Sequence, residues 1–203
     1  MRLLIVTVDA LCPEAPLTAV ARALRGAGHT VFVAAPLGDM AAEAALAQFS
    51  VAGWLPLRQA RGLLALSVNV WAVSRWARVL RPDILLADGP AGGVIANMAR
   101  GAGGGSAVSL LMLDRLPATT RLLDRKLAAK AIQESDRLLV PEAGLREAFV
   151  MRGARRADTL VVVEIAEVAM LCESLEHENA RGRPRPVAPD SFLSSSFDAR
   201  KCK

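Results

Sequence analysis

The first 35 residues read as strand, helix, strand, and this alternation constrains the fold more than any other feature of the chain. Residues 2–8 form a continuous apolar, largely β-branched run that stops at Asp9. A run without polar alternation is the mark of a strand covered on both faces. Over residues 15–27, Leu17, Val20, Ala21 and Leu24 recur at helical spacing with Arg22 and Arg25 opposite, and Gly26 and Gly28 end the segment. Residues 30–35 are a second strand. Two strands joined through a helix pair in parallel, with a right-handed crossover.

The same alternation continues. Helices are expected at 39–49, 60–80, 91–100, 119–134 and 143–152, and strands at 83–87, 106–112, 137–140 and 159–163. Residues 50–57 read as a short strand or a loop. Six or seven strands alternating with helices predict an α/β fold: a doubly wound, Rossmann-like, mostly parallel sheet with helices on both faces. The hydrophobic fraction of 53% is enough to build its core. Residues 1–163 read as one domain and 164–180 as one more, rather polar helix. Residues 181–203, with Arg-Gly-Arg-Pro-Arg-Pro and a Ser triplet, read as a disordered tail.

Several function classes are excluded. Cys12, Cys172 and Cys202 are too few and too scattered for a disulfide scaffold. His29 and His177 with no CxxC do not make a metal site. Of the 25 basic residues four are Lys and 21 Arg, giving a net charge of +5. The Arg are spread out and aromatics are scarce, so no nucleic acid partner is expected. No GxGxxG follows the first strand, and no GxxxxGK[ST] occurs. The opening apolar run is too short for a signal peptide, which points to the cytoplasm. The 60–80 segment crowds Leu63, Leu64, Leu66, Val68, Val70, Trp71 and Val73 before Arg75, Trp76, Arg78 and Arg81. Trp and Arg beside an apolar face suit peripheral contact with a membrane through residues 60–81, at the inner face; a helix packed on the sheet with its Arg in water has the same pattern.

In an open parallel sheet, ligands bind outside the carboxyl ends of the strands. Asp9 follows the first strand, with Cys12, Pro13 and Glu14 behind it. Asp88, Gly89, Gly92 and Gly93 follow the fourth, Asp114 and Arg115 the fifth, and Pro141 and Glu142 the sixth. Acids on such a rim hold sugar hydroxyls or act as a base. Glycines at a helix start let backbone approach a phosphate or sugar. Each of these residue types is also an ordinary cap or turn former. Their convergence on one edge is the stronger signal. His29 and the Gly101–Gly105 stretch precede strands, so they belong to the opposite edge.

Four segments together resemble a known family. These are the opening Met1–Thr7, the run Val20–Val31 with its Arg-Gly-Ala-Gly-His-Thr-Val, Arg81-Pro82-Asp83-Ile84-Leu85-Leu86-Ala87, and Ser135-Asp136-Arg137-Leu138-Leu139-Val140-Pro141-Glu142. Over residues 1–163 the chain resembles the N-terminal domain of GT-B glycosyltransferases of the family-4-like group. The resemblance implies sugar transfer from a nucleotide-sugar donor, bound as a substrate, with no cofactor and no metal. It implies a sugar or lipid-linked acceptor on this domain. Asp114 would be the catalytic base, and Asp9, Asp88, Gly89, Gly92, Gly93, Arg115 and Glu142 would line the acceptor cleft. The family's Gly-Gly after the first strand is replaced by Cys12-Pro13-Glu14. Its His-Asp is Leu113-Asp114, its Ser-Glu is Pro141-Glu142, and its Pro-Asn-Gly turn is Val163-Glu164-Ile165. Only about 40 residues follow position 163, too few for a second domain of ordinary size. A donor-binding partner chain is therefore expected. The alternative is a degenerate, non-catalytic homologue acting as a membrane- or protein-interaction module.

Overall fold

The computed structural model describes residues 1–9, 11, 16–38, 44, 47, 49, 51–59, 62–102, 107–114, 122–151, 160–162 and 165–180. Its strands are β1 (Arg2–Val6), β2 (Thr30–Ala35), β3 (Gly53–Pro56), β4 (Ile84–Asp88), β5 (Val108–Met112), β6 (Arg137–Val140) and β7 (Leu160–Val162). Its helices are α1 (Pro16–Gly26), α2 (Leu63–Leu80), α3 (Gly89–Ala102), α4 (Leu122–Glu134), α5 (Ala143–Met151) and α6 (Ile165–Ala180). The strands form one seven-stranded sheet in the order β3-β2-β1-β4-β5-β6-β7. All six pairings are parallel. The doubly wound α/β fold is thus present, with β3 a true strand rather than a loop.

The continuous apolar runs have the expected cause. Leu3 and Ile5 of β1 join one core cluster, with Val31, Val33, Leu86, Leu110 and Leu139. Leu4 and Val6 join another, with Phe32, Ala34, Leu85, Ala87, Leu111 and Leu138. Every central strand is buried on both faces, and each fully buried Leu or Ile is worth about 2 kcal/mol of transfer free energy. Val20, Ala21 and Leu24 of α1 pack on the first cluster. Val73 and Ala77 of α2, Val94 and Ile95 of α3, Ala131 of α4 and Phe149 of α5 pack on the second.

The polar-looking α6 is a core element. Val168, Cys172 and Leu175 belong to the first cluster, and the helix packs against α1. Of the helix expected at 39–49, positions 44, 47 and 49 are described and are helical, and Phe49 is fully buried beside Trp54. The expected tail at 181–203 lies outside the described residues.

Candidate functional site at the carboxyl ends of the strands

The chain leaves β1 toward β2 on one side, and the later strands add from β4 on the other. The switch point of the sheet therefore lies between β1 and β4, where open α/β sheets form their ligand crevice. Thr7 directly follows β1 and is fully buried. Its backbone N–H donates to the Ala34 carbonyl at 3.0 Å. Its hydroxyl donates to Asp88 Oδ2 at 3.2 Å and accepts the Asp9 backbone N–H at 3.2 Å. One hydroxyl thus ties the ends of β1 and β4 together and fixes a half-buried carboxylate in the crevice.

Asp88 is followed at once by α3. Gly89 opens that helix at φ +67°, a left-handed conformation that an L side chain rarely adopts. The helix starts at Gly89 rather than at 91, because this glycine makes the abrupt turn out of β4. Three residues on, a Cβ on Gly92 would stand 2.8 Å from the Val6 carbonyl oxygen and 3.7 Å from Thr7 Cα. The missing side chain lets the first turn of α3 rest directly on the end of β1. The positive dipole end of the helix lies at the same strand edge as Asp88. Gly93 performs the same service deeper down, where a Cβ would stand 2.8 Å from Ala131 Cβ and 2.9 Å from Leu111 Cδ1. The identity of both glycines is accounted for by close packing, which in turn shapes the rim.

The remaining candidates lie further along the edge. Asp9 is exposed just past Thr7. Asp114 is exposed after β5, separated from it by the buried Leu113, whose N–H donates to the Leu139 carbonyl at 3.0 Å. Glu142 is exposed at the start of α5, where its carbonyl accepts the Arg146 N–H at 3.1 Å. Arg115, Cys12, Pro13 and Glu14 lie outside the described residues. The structure brings Thr7, Asp88, Asp9 and the α3 start together, and sets Asp114 and Glu142 on the neighbouring strand ends. His29 is buried before β2, at the opposite edge.

Thr7 is the residue that sequence reasoning missed. It falls inside the 2–8 run and reads as strand interior. The available signal was a lone hydroxyl one residue before the strand gives way to Asp9.

A second buried polar group is structural. Asn97 of α3 accepts the Ser109 hydroxyl, and its Nδ2 donates to Ser135 Oγ at 3.3 Å. Asp136 accepts the Ser109 N–H at 2.8 Å and pairs with Arg100 at 2.6 Å. Cys172 is no nucleophile: burial, with a smaller push from Glu173, raises its thiol from 9.0 to about 12. Among the described residues, no group of three or more His, Cys, Asp or Glu is placed to hold a metal ion.

No family model and no curated protein matches this sequence. Solved structures do. A UDP-N-acetylglucosamine 2-epimerase superposes with a TM-score of 0.63 at 16% identity, over 93% of this chain and 53% of that one. The fold is shared with UDP-sugar epimerases and glycosyltransferases. A lipopolysaccharide outer core galactosyltransferase matches with a TM-score of 0.59 at 18% identity, over 80% of this chain and 45% of that one. The Anabaena protein HepE, in complex with UDP and glucose, matches with a TM-score of 0.60 at 16% identity, over 87% of this chain and 50% of that one. The chain spans about half the length of the structures it matches.

Proposed function

We propose that this chain is the acceptor-binding half of a GT-B-type glycosyltransferase of the family-4-like group. The observation that carries the proposal is the Thr7–Asp88 pair at the switch point, beside the start of α3, in a fold shared with UDP-sugar enzymes. Carboxylates on such a rim accept hydrogen bonds from sugar hydroxyls. Asp88 and Asp9 hold the acceptor, with Glu142 at its flank; Arg115 is assigned to acceptor binding from its place in the sequence after Asp114. Gly89, Gly92 and Gly93 act by setting the approach of α3. Asp114 is the base. The acceptor hydroxyl oxygen bonds to the anomeric carbon of the donor sugar, the bond from that carbon to the nucleotide diphosphate breaks, and the hydroxyl proton passes to the Asp114 carboxylate. The donor half comes from further polypeptide, in a partner chain or a continuation of this one.

Calorimetric titration with UDP-, GDP- and ADP-linked sugars, together with an immobilised glycan array, tests this reading. The expected result is no micromolar binding of nucleotide sugars to the chain alone. Glycan binding should fall about tenfold or more in Asp88→Ala and Asp114→Ala, the loss of a charge-assisted hydrogen bond. Micromolar donor binding overturns the two-half arrangement, and unchanged glycan binding in both variants removes the site.

One observation favours a second reading, a non-catalytic homologue. Where the resemblance implies a histidine beside Asp114, this chain has Leu113, and Leu113 is buried in the core. No exchange of side-chain rotamers puts a polar group there.

A further inference from the structure

Helix α2 divides its apolar side chains between two faces: Leu66, Val70 and Trp76 pack partly buried against the core, while others stay outside. Its buried stripe is Ala65, Asn69, Val73, Ala77 and Leu80. Leu64 is 86% exposed, Trp71 62% and Val79 73%, and Leu63 and Val68 are exposed as well. Leu64, Val68, Trp71, Arg75 and Arg78 follow one another at steps of four and three, which places them on a single stripe. The Arg75 guanidinium lies 5.8 Å from the Trp71 ring centroid. A lone exposed Leu carries no message, but a contiguous exposed apolar stripe marks an interaction surface.

The charge along this part of the sequence has one sign. Between Glu43 and Asp83 the sequence contains no acidic residue and five Arg: Arg58, Arg61, Arg75, Arg78 and Arg81. The one hydroxyl in the apolar half, Ser67, donates to the Leu63 carbonyl at 2.9 Å, so it is satisfied within the helix. Asn69 is satisfied as well, accepting the Arg58 N–H and donating to the Arg58 carbonyl, each at 3.0 Å, so the polar side chains of that half have their partners within the protein. Among the described residues no helix is long and apolar enough to cross a membrane.

We propose that α2 docks this chain on an anionic lipid bilayer, lying in the plane of the interface. Leu63, Leu64, Val68 and Trp71 enter below the headgroups, and Arg75 and Arg78 engage the anionic headgroups. Because α2 follows β3 and leads back to β4, Leu63 and Leu64 sit at the end of the molecule that carries Thr7 and Asp88. The docking surface does not depend on the sugar chemistry of that site.

The test is flotation of the full chain with two kinds of vesicle: phosphatidylcholine alone, and equal parts phosphatidylcholine and phosphatidylglycerol. Binding is expected to the anionic vesicles only and to weaken with salt. Arg75→Gln and Arg78→Gln should each weaken it about fivefold. The double variant Leu64→Ser/Trp71→Ser should weaken it about tenfold or more. Arg22→Gln/Arg25→Gln on α1, across the sheet, should leave it unchanged; circular dichroism confirms that each variant folds. Three results overturn the proposal: equal flotation on both vesicles, equal loss in the α1 variant, or no flotation with Trp71-dependent self-association in the ultracentrifuge.

Discussion

Helices α2 and α3 are neighbours on one face of the sheet, yet they treat their residues in opposite ways. α3 buries Gly92 to Asn97 without a break and Ala99 after them, and two of these positions have no room for a methyl group. Every side chain on its inner surface is fixed by what it touches. α2 is longer, but only five of its residues are buried, and two of these are alanines. Its two tryptophans part company: Trp76 packs edge-on against Phe32 at 6.0 Å, while Trp71 faces water. The sheet needs α3 as it is. From α2 it uses the inner stripe with Leu66, Val70 and Trp76 beside it, and it leaves the Leu64–Trp71 stripe uncovered.

The sharpest way to break this contrast is at Gly92. Gly92→Val is expected to cost about 3 kcal/mol of stability, because the obstacle is the backbone of β1 and not a movable side chain. Urea denaturation measures it, and a loss below 1 kcal/mol would mean that α3 can lift off without penalty. Next comes Asn97→Ala, which strands the Ser109 hydroxyl in the core, while Ser135 keeps its bond to the Ala131 carbonyl, and should cost about 2 kcal/mol in the same assay. The smallest effect belongs to α2. Leu64→Ser and Trp71→Ser should each stay within about 0.5 kcal/mol of the parent, since neither side chain is buried. A loss comparable to that of Asn97→Ala would show that the outer stripe is a folding element after all.

Much of the fold is legible in the sequence because a parallel strand covered on both faces has no polar positions to confuse its reading. The 30–35 and 137–140 runs coincide with β2 and β6 for this reason. Element ends were harder to read. Sequence pattern carries β1 to residue 8, but pairing stops at Val6, where Thr7 turns its hydroxyl to Asp88. In α2 the pattern shows an excess of apolar residues without saying which face wins. The face that wins is the one with Ala65 and Ala77, small enough for close packing beside α3. In α6, Val168, Cys172 and Leu175 were masked by the acids around them. Of the candidate site, the acids and glycines could be listed from the turns, since those turns carry the chemistry in this topology. The Thr7–Asp88 contact could not, because it joins residues 81 positions apart.

That α6 shares a core cluster with α1 has a bearing on biosynthesis. Strands β4, β5 and β6 contribute Leu86, Leu110 and Leu139 to this same cluster, and Val168, Cys172 and Leu175 reach it from the far end of the sequence. A ribosome delivers the strands well before it delivers residues 165–180. During that interval the nascent sheet carries an incompletely covered greasy face, the kind of surface that chaperones recognise and that aggregates when left alone.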